Sequence, residues 1–189
     1  MLHDARFFEL LLRIDEEYRD RVREGRCPCC GGPLHSAHFC RKPRGLVFGP
    51  DELPKGYEVR FDLCCGWCRK RTLPPSVRFF GRKVFVAVAV AVATVVARGR
   101  DRNAIGLLRR ELGVSWQTLQ RWCHWWLELT GTVFWQRIRG TLPVGLDLSA
   151  LPKSLLDHLG GDGAERMEWL LRLLAPVSGR FPSRLTEGT

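Results

Sequence analysis

Two cysteine pairs carry the plainest chemistry in this chain: Cys27 and Cys30 in CPCCGG, and Cys65 and Cys68 in CGWC. One tight turn can offer two thiols at this spacing to the same cation, with Gly supplying the turn's dihedrals. Two such turns close a tetrahedral four-thiolate zinc site. The gap of 34 residues between Cys30 and Cys65 exceeds the roughly 15–20 usual in ribbons. It contains His35, His38 and Cys40, which with Cys64 are the alternative ligands. The expected ligands of Zn2+ are Cys27, Cys30, Cys65 and Cys68. Cys123 reads as a small buried apolar residue. Four protein thiolates leave no open position for a reactive water, so the metal's expected role is to hold shape.

Cys65 and Cys68 also have the spacing of a thiol oxidoreductase. Such a pair opens a helix within a βαβ unit; here Pro74-Pro75 follow it and no βαβ pattern surrounds it. The N-terminal MLHDARFFELLLRIDEEYRD carries acids through what would be a leader's apolar region. The expectation is a reducing cytoplasm, where clustered cysteines bind metal more often than they form disulfides.

A second constellation lies downstream. LLRRELGVSWQTLQRW has the proportions of a helix-turn-helix, with Gly113 closing one helix and Ser115 capping the next. In such a unit the second helix enters the major groove of double-stranded DNA. Trp116, Gln117, Gln120 and Arg121 would face the bases, with Ser115 and Thr118 toward phosphate; Gln suits adenine and Arg suits guanine. The plain rival is a helical hairpin with a solvated polar face.

Charge supports the first reading. The formal net charge is +10, and residues 60–110 hold twelve Lys and Arg against two acids while the flanks balance. So local a block points to a polyanion. Arg69, Lys70, Arg71, Arg78, Arg82 and Lys83 are the expected phosphate contacts, nearest the second Cys pair. RNA would satisfy the same patch. A membrane is not expected: the Val84–Ala97 run has 14 residues, short of the roughly 20 that a span needs.

The elements that must position these residues follow from periodicity. Residues 5–24 read as a helix with Phe7, Leu11, Ile14, Tyr18 and Val22 on its apolar face and Asp15, Glu16, Arg19 and Arg23 opposite. YEVRFDLCC alternates as a strand. The Val/Ala run fits either a strand or a helix, and the helices after it favour helix. Two short helices around the flexible Gly160-Gly161-Asp162-Gly163 complete the chain, the last stopped by Pro176. The fold class is mostly α with a small zinc ribbon (α+β). The expected units are an N-terminal helix over 1–25, a ribbon with its basic extension over 26–80, and a helix-turn-helix bundle over 81–140. A C-terminal helical segment over 141–178 and a disordered tail over 179–189 follow.

With these elements placed, CPCCGG, CCGWCRKRTLPPSVRFFGRKVF and LRRELGVSWQTLQRWCHWW together resemble the zinc-ribbon plus helix-turn-helix region of bacterial insertion-sequence transposases and the short proteins related to them. The resemblance covers roughly 26–135. It implies zinc at Cys27, Cys30, Cys65 and Cys68 and binding of element-end DNA. Arg109 departs from it, standing where such motifs carry a small residue. The family cuts DNA with three carboxylates on an RNase H-like sheet. Asp147, Asp157, Asp162, Glu165 and Glu168 fall on short helices and a loop, where they cannot form that pocket. The expectation is a nucleoid-associated accessory or regulatory factor, not an enzyme, with a transposase or another mobile-element protein as a possible partner.

Overall fold

A computed structural model of the chain describes residues 2–46, 53–80, 85–99 and 101–179. Helix α1, Ala5–Glu24, starts where the Asp4 carboxylate accepts the Arg6 amide and ends at Gly25. Five short antiparallel strands follow: β1 Leu34–Ser36, β2 Phe39–Cys40, β3 Val59–Arg60, β4 Leu63–Cys65 and β5 Arg71–Thr72. They form a three-stranded sheet in the order β1-β4-β5 and a separate β2-β3 pair. The single strand expected over YEVRFDLCC is thus divided between two sheets. Its alternation breaks because Arg60 and Asp62 are buried along with Tyr57, Phe61 and Leu63.

The rest is helical: α2 Ala87–Arg98, α3 Arg102–Glu111, α4 Trp116–Thr130, α5 Val133–Ile138, α6 Lys153–Asp157 and α7 Gly163–Ser178. Helix α2 is the axis of the bundle and packs against α3, α4, α6 and α7. Val86 to Ala91 are all buried. A helix covered on every side has no polar face, so the Val/Ala run shows no 3.6-residue period. Its alanines let neighbours approach, and Thr94 satisfies itself on the Val90 and Ala91 carbonyls while accepting the Trp126 indole N–H at 3.0 Å. No helix among the described residues is long and apolar enough to cross a membrane.

One apolar core joins α1, the 77–80 segment, α2, α4 and α7, and a second small cluster sits around Cys27, Leu34, Leu63 and Cys65. Buried polar groups pin the two together. Asp15, expected on the solvent face of α1, has no exposure. Its carboxylate accepts from the Ser76 hydroxyl, from the Val77 amide at 2.7 Å and from Arg78 Nε at 2.7 Å. Arg60 donates to the Pro74 carbonyl at 2.6 Å and to the Ser178 carbonyl at 3.3 Å, so a cation closes the C-terminus of α7. Pro176 does not stop α7; the helix runs two residues further, to Ser178. A proline in the last turn forfeits one intrahelical bond without forcing the following residues out of the helix.

Candidate metal centre and the exposed face of α4

The two cysteine turns have the same backbone. The Cys27 amide donates to the Gly32 carbonyl and the Cys27 carbonyl accepts the Gly31 amide. Likewise the Cys65 amide donates to the Lys70 carbonyl, and the Cys65 carbonyl accepts the Arg69 amide. In each turn the residue after the second Cys is left-handed: Gly31 at φ 74° and Arg69 at φ 61°. The turns are held together by β1-β4 pairing, which sets Leu34 opposite Cys65. Their contact is close. A Cβ on Gly32 would lie 2.9 Å from Cys65 Sγ and 2.8 Å from the Trp67 ring, so this position admits only glycine.

The sulfurs of Cys27, Cys30, Cys65 and Cys68 all lie within 4.8 Å of one another. Cys27 and Cys68 are 3.6 Å apart, and Cys30 and Cys65 3.5 Å. A disulfide needs about 2.05 Å, so these are four separate thiols. A tetrahedron with metal–sulfur bonds of about 2.3 Å has edges of about 3.8 Å; the two contacts lie just below that value, and every pair is within 4.8 Å. The four residues can hold a metal ion. Electrostatics point the same way. Burial pushes the Cys65 thiol up, but amides of Cys68 and Trp67 and the Cys30 contact outweigh it and bring it down to about 6. The Lys70 amide draws Cys68 down, yet burial and the neighbouring thiols raise it to about 12. Crowded sulfurs cannot all ionise unless a cation joins them.

The other candidates stand apart. His35, His38, Cys40 and Cys64 are outside the cluster. Cys64 faces the opposite side of β4, its thiol toward the Arg69 carbonyl. Cys29 accepts Lys70 Nζ at 3.1 Å.

The basic residues divide by burial. Arg78 is a correction: with no exposure it cannot reach a phosphate. It is ion-paired to Asp15, donates to the Tyr57 and Val59 carbonyls, and lies among the rings of Tyr57, Phe61 and Phe79. An arginine inside the apolar run Val77-Arg78-Phe79-Phe80 was the signal. Arg71 pairs with Asp62 at 2.6 Å and also donates to the Ala37 carbonyl. Arg69 is exposed, and no ion pair holds it among the described residues. Arg82 and Lys83 lie outside those residues.

Helices α3 and α4 meet through Leu112-Gly113-Val114-Ser115, with Gly113 at φ 61° and the Ser115 hydroxyl accepting the Thr118 amide. Leu119, Trp122 and Trp126 are buried. Trp116, Gln117, Gln120 and Arg121 are exposed, and Thr118, half-buried, accepts from Arg121. Arg109 donates to the Val114 carbonyl and lies over the Trp116 ring at 5.6 Å, so its length serves the turn. Asp147 and Asp162 cap helical turns, Glu165 completes a capping box, and Asp157 and Glu168 pair with Lys153 and Arg172.

A scan against protein-family models finds no match, and searches of curated proteins and of solved structures find none either.

Proposed function

We propose that this chain is a zinc-holding protein that binds double-stranded DNA, acting as an accessory or regulatory factor related to insertion-sequence transposases. Four thiolates with tetrahedral spacing suit zinc, which would lock the two turns and perform no chemistry of its own. The relation to mobile elements rests on the order of motifs in the sequence. The observation that carries DNA binding is the division of α4: Leu119, Trp122 and Trp126 anchor it, while Trp116, Gln117, Gln120 and Arg121 face solvent at its N-terminal end. A helix held so firmly from behind can present those side chains to a groove without reorganising.

Gel shifts of genomic fragments across a salt series test this. The expected affinity falls with salt by about 0.9 log units per log unit for each phosphate neutralised. Changing Gln117, Gln120 and Arg121 together to Ala should abolish sequence preference. A retarded band indifferent to ionic strength, or one unaffected by the triple change, would overturn the reading.

Docking on a protein partner such as a transposase is favoured by a different observation. Val133, Val144, Leu148 and Trp169 are large apolar side chains exposed at 61%, 99%, 43% and 36%. Partner capture that survives the triple change but fails on charging Val144 would assign that role to the C-terminal half.

A further inference from the structure

We propose that the tip of the second cysteine turn is a separate site for single-stranded nucleic acid, where an unpaired base stacks on Trp67 and Arg69 holds the adjoining phosphate. Trp67 is 68% exposed, the most exposed of the tryptophans named here. Yet it is not a loose side chain. Its amide donates to Cys65 Sγ at 3.4 Å, and its ring rests so close on Gly32 that a Cβ there would fall 2.8 Å from it. The indole therefore rests against the first turn at Gly32 while most of it stays open to water. A preset aromatic face of this kind is what base stacking needs.

The surrounding charge chooses the occupant. Residues 26–36 and 63–73 contain four cations and no acid. Two are engaged, Lys70 on Cys29 and Arg71 on Asp62. Arg26 and Arg69 remain exposed. Both take left-handed backbone, Arg26 at φ 59° just after α1 ends and Arg69 at φ 61°; only Arg69 does so in the turn that carries Trp67, at the place where the matching turn uses Gly31. A non-glycine residue there is strained by about 1 kcal/mol or more, so an arginine kept in that conformation points to use of its side chain. A protein partner's anchor would need a wider apolar rim; among the residues of the two turns, Trp67 is the one large exposed hydrophobic. A paired duplex keeps its bases stacked inward, so the open indole suits an unpaired base.

The test uses the full metal-loaded chain and a fluorescein-labelled oligothymidylate of about 12 nucleotides, read by anisotropy at several salt concentrations. Trp67→Leu keeps apolar bulk over Gly32 but lacks the π face, and should bind about 5- to 150-fold more weakly. Trp67→Phe should retain most of the affinity. Arg69→Gly relieves the strained backbone, so lost binding cannot be ascribed to unfolding; it should flatten the salt slope by about 0.7. Equal binding by Trp67→Leu and the unchanged chain would overturn the proposal. So would a Trp67→Leu variant that loses only a protein partner. The Gln117, Gln120 and Arg121 triple variant should bind the oligonucleotide normally. Absent duplex binding with Trp67-dependent oligonucleotide binding intact would sink the duplex reading and leave this one standing.

Discussion

Removing the carboxylate of Asp15 should strongly destabilise the protein, although its charge groups it with the solvated residues of α1. The Asp15→Ala change deletes three acceptor contacts, to Ser76, to the Val77 amide and to Arg78 Nε. It leaves the Arg78 charge at zero exposure with no carboxylate partner among the described residues, facing the carbonyls of Gly56, Tyr57 and Val59 and the rings of Tyr57, Phe61 and Phe79. Breaking one side of a buried ion pair costs about 3–5 kcal/mol, against a total stability of about 5–15 kcal/mol. The loss should be readable in urea titrations followed by tryptophan fluorescence, on metal-loaded protein. Asp15→Asn keeps one acceptor oxygen and should fall between the two, which covers the case where the alanine variant does not fold. Adding Arg78→Met to Asp15→Ala should recover about 1–3 kcal/mol relative to the summed single losses, because no charge is then stranded. An Asp15→Ala midpoint within about 0.5 kcal/mol of the unchanged chain would refute the buried pair.

Cys27→Ser or Cys65→Ser should abolish stoichiometric zinc in elemental analysis, whereas Cys64→Ser should leave it intact. Gly32→Ala drives a Cβ into Cys65 Sγ and the Trp67 ring; competition with a chromogenic chelator should show weaker metal retention, with far-UV dichroism of the helices preserved. Metal binding requires the thiols to lose protons, so lowering the pH must favour release. Since Cys68 is pushed up to about 12 without a cation, proton release on zinc addition near neutrality should be measurable by calorimetry in buffers of different ionisation enthalpy. Trp126→Phe deletes the bond to Thr94 and should cost about 1 kcal/mol in the same urea titrations.

What the sequence made legible were features that act locally. The cysteine spacing, the Ser115 cap and the Gly25 stop each depend on a few adjacent residues, and the structure places all of them as expected. Long-range features were harder to read. Asp15 stands four residues after Leu11 and seven after Phe8, both buried, so it lies on the apolar stripe of α1. Its partner is 63 residues away in the chain, and no local pattern announces it. The same holds for Arg60, which reaches a carbonyl 118 residues on. Trp67 was the converse case. Its exposure depends on how the first turn seats beneath it, and spacing within CGWC carries no information about that.

The basic block shows what this distinction does to a functional estimate. Residues 60–110 hold twelve cations, six of them the expected phosphate contacts, and the formal count of twelve sets the upper bound. Arg60 and Arg78 are buried, Arg71 pairs with Asp62 and Lys70 with Cys29, and Arg98 and Arg109 hold carbonyls. Arg69, Arg102 and Arg110 are exposed and have no ion pair among the described residues, and Arg82, Lys83 and Arg100 lie outside them. The block can therefore neutralise about six phosphates at most, a salt slope no steeper than about −5 on duplex DNA. Changing Arg110 to Gln should reduce the measured slope by about 0.9 without altering stability. Arg98→Gln, which strands the Leu151 and Cys123 carbonyls, should lower the urea midpoint and leave the slope unchanged. If Arg98→Gln instead flattened the slope as much as Arg110→Gln, the internal hydrogen bonds would not be sequestering charge. The formal count of twelve would then be the right measure of this surface after all.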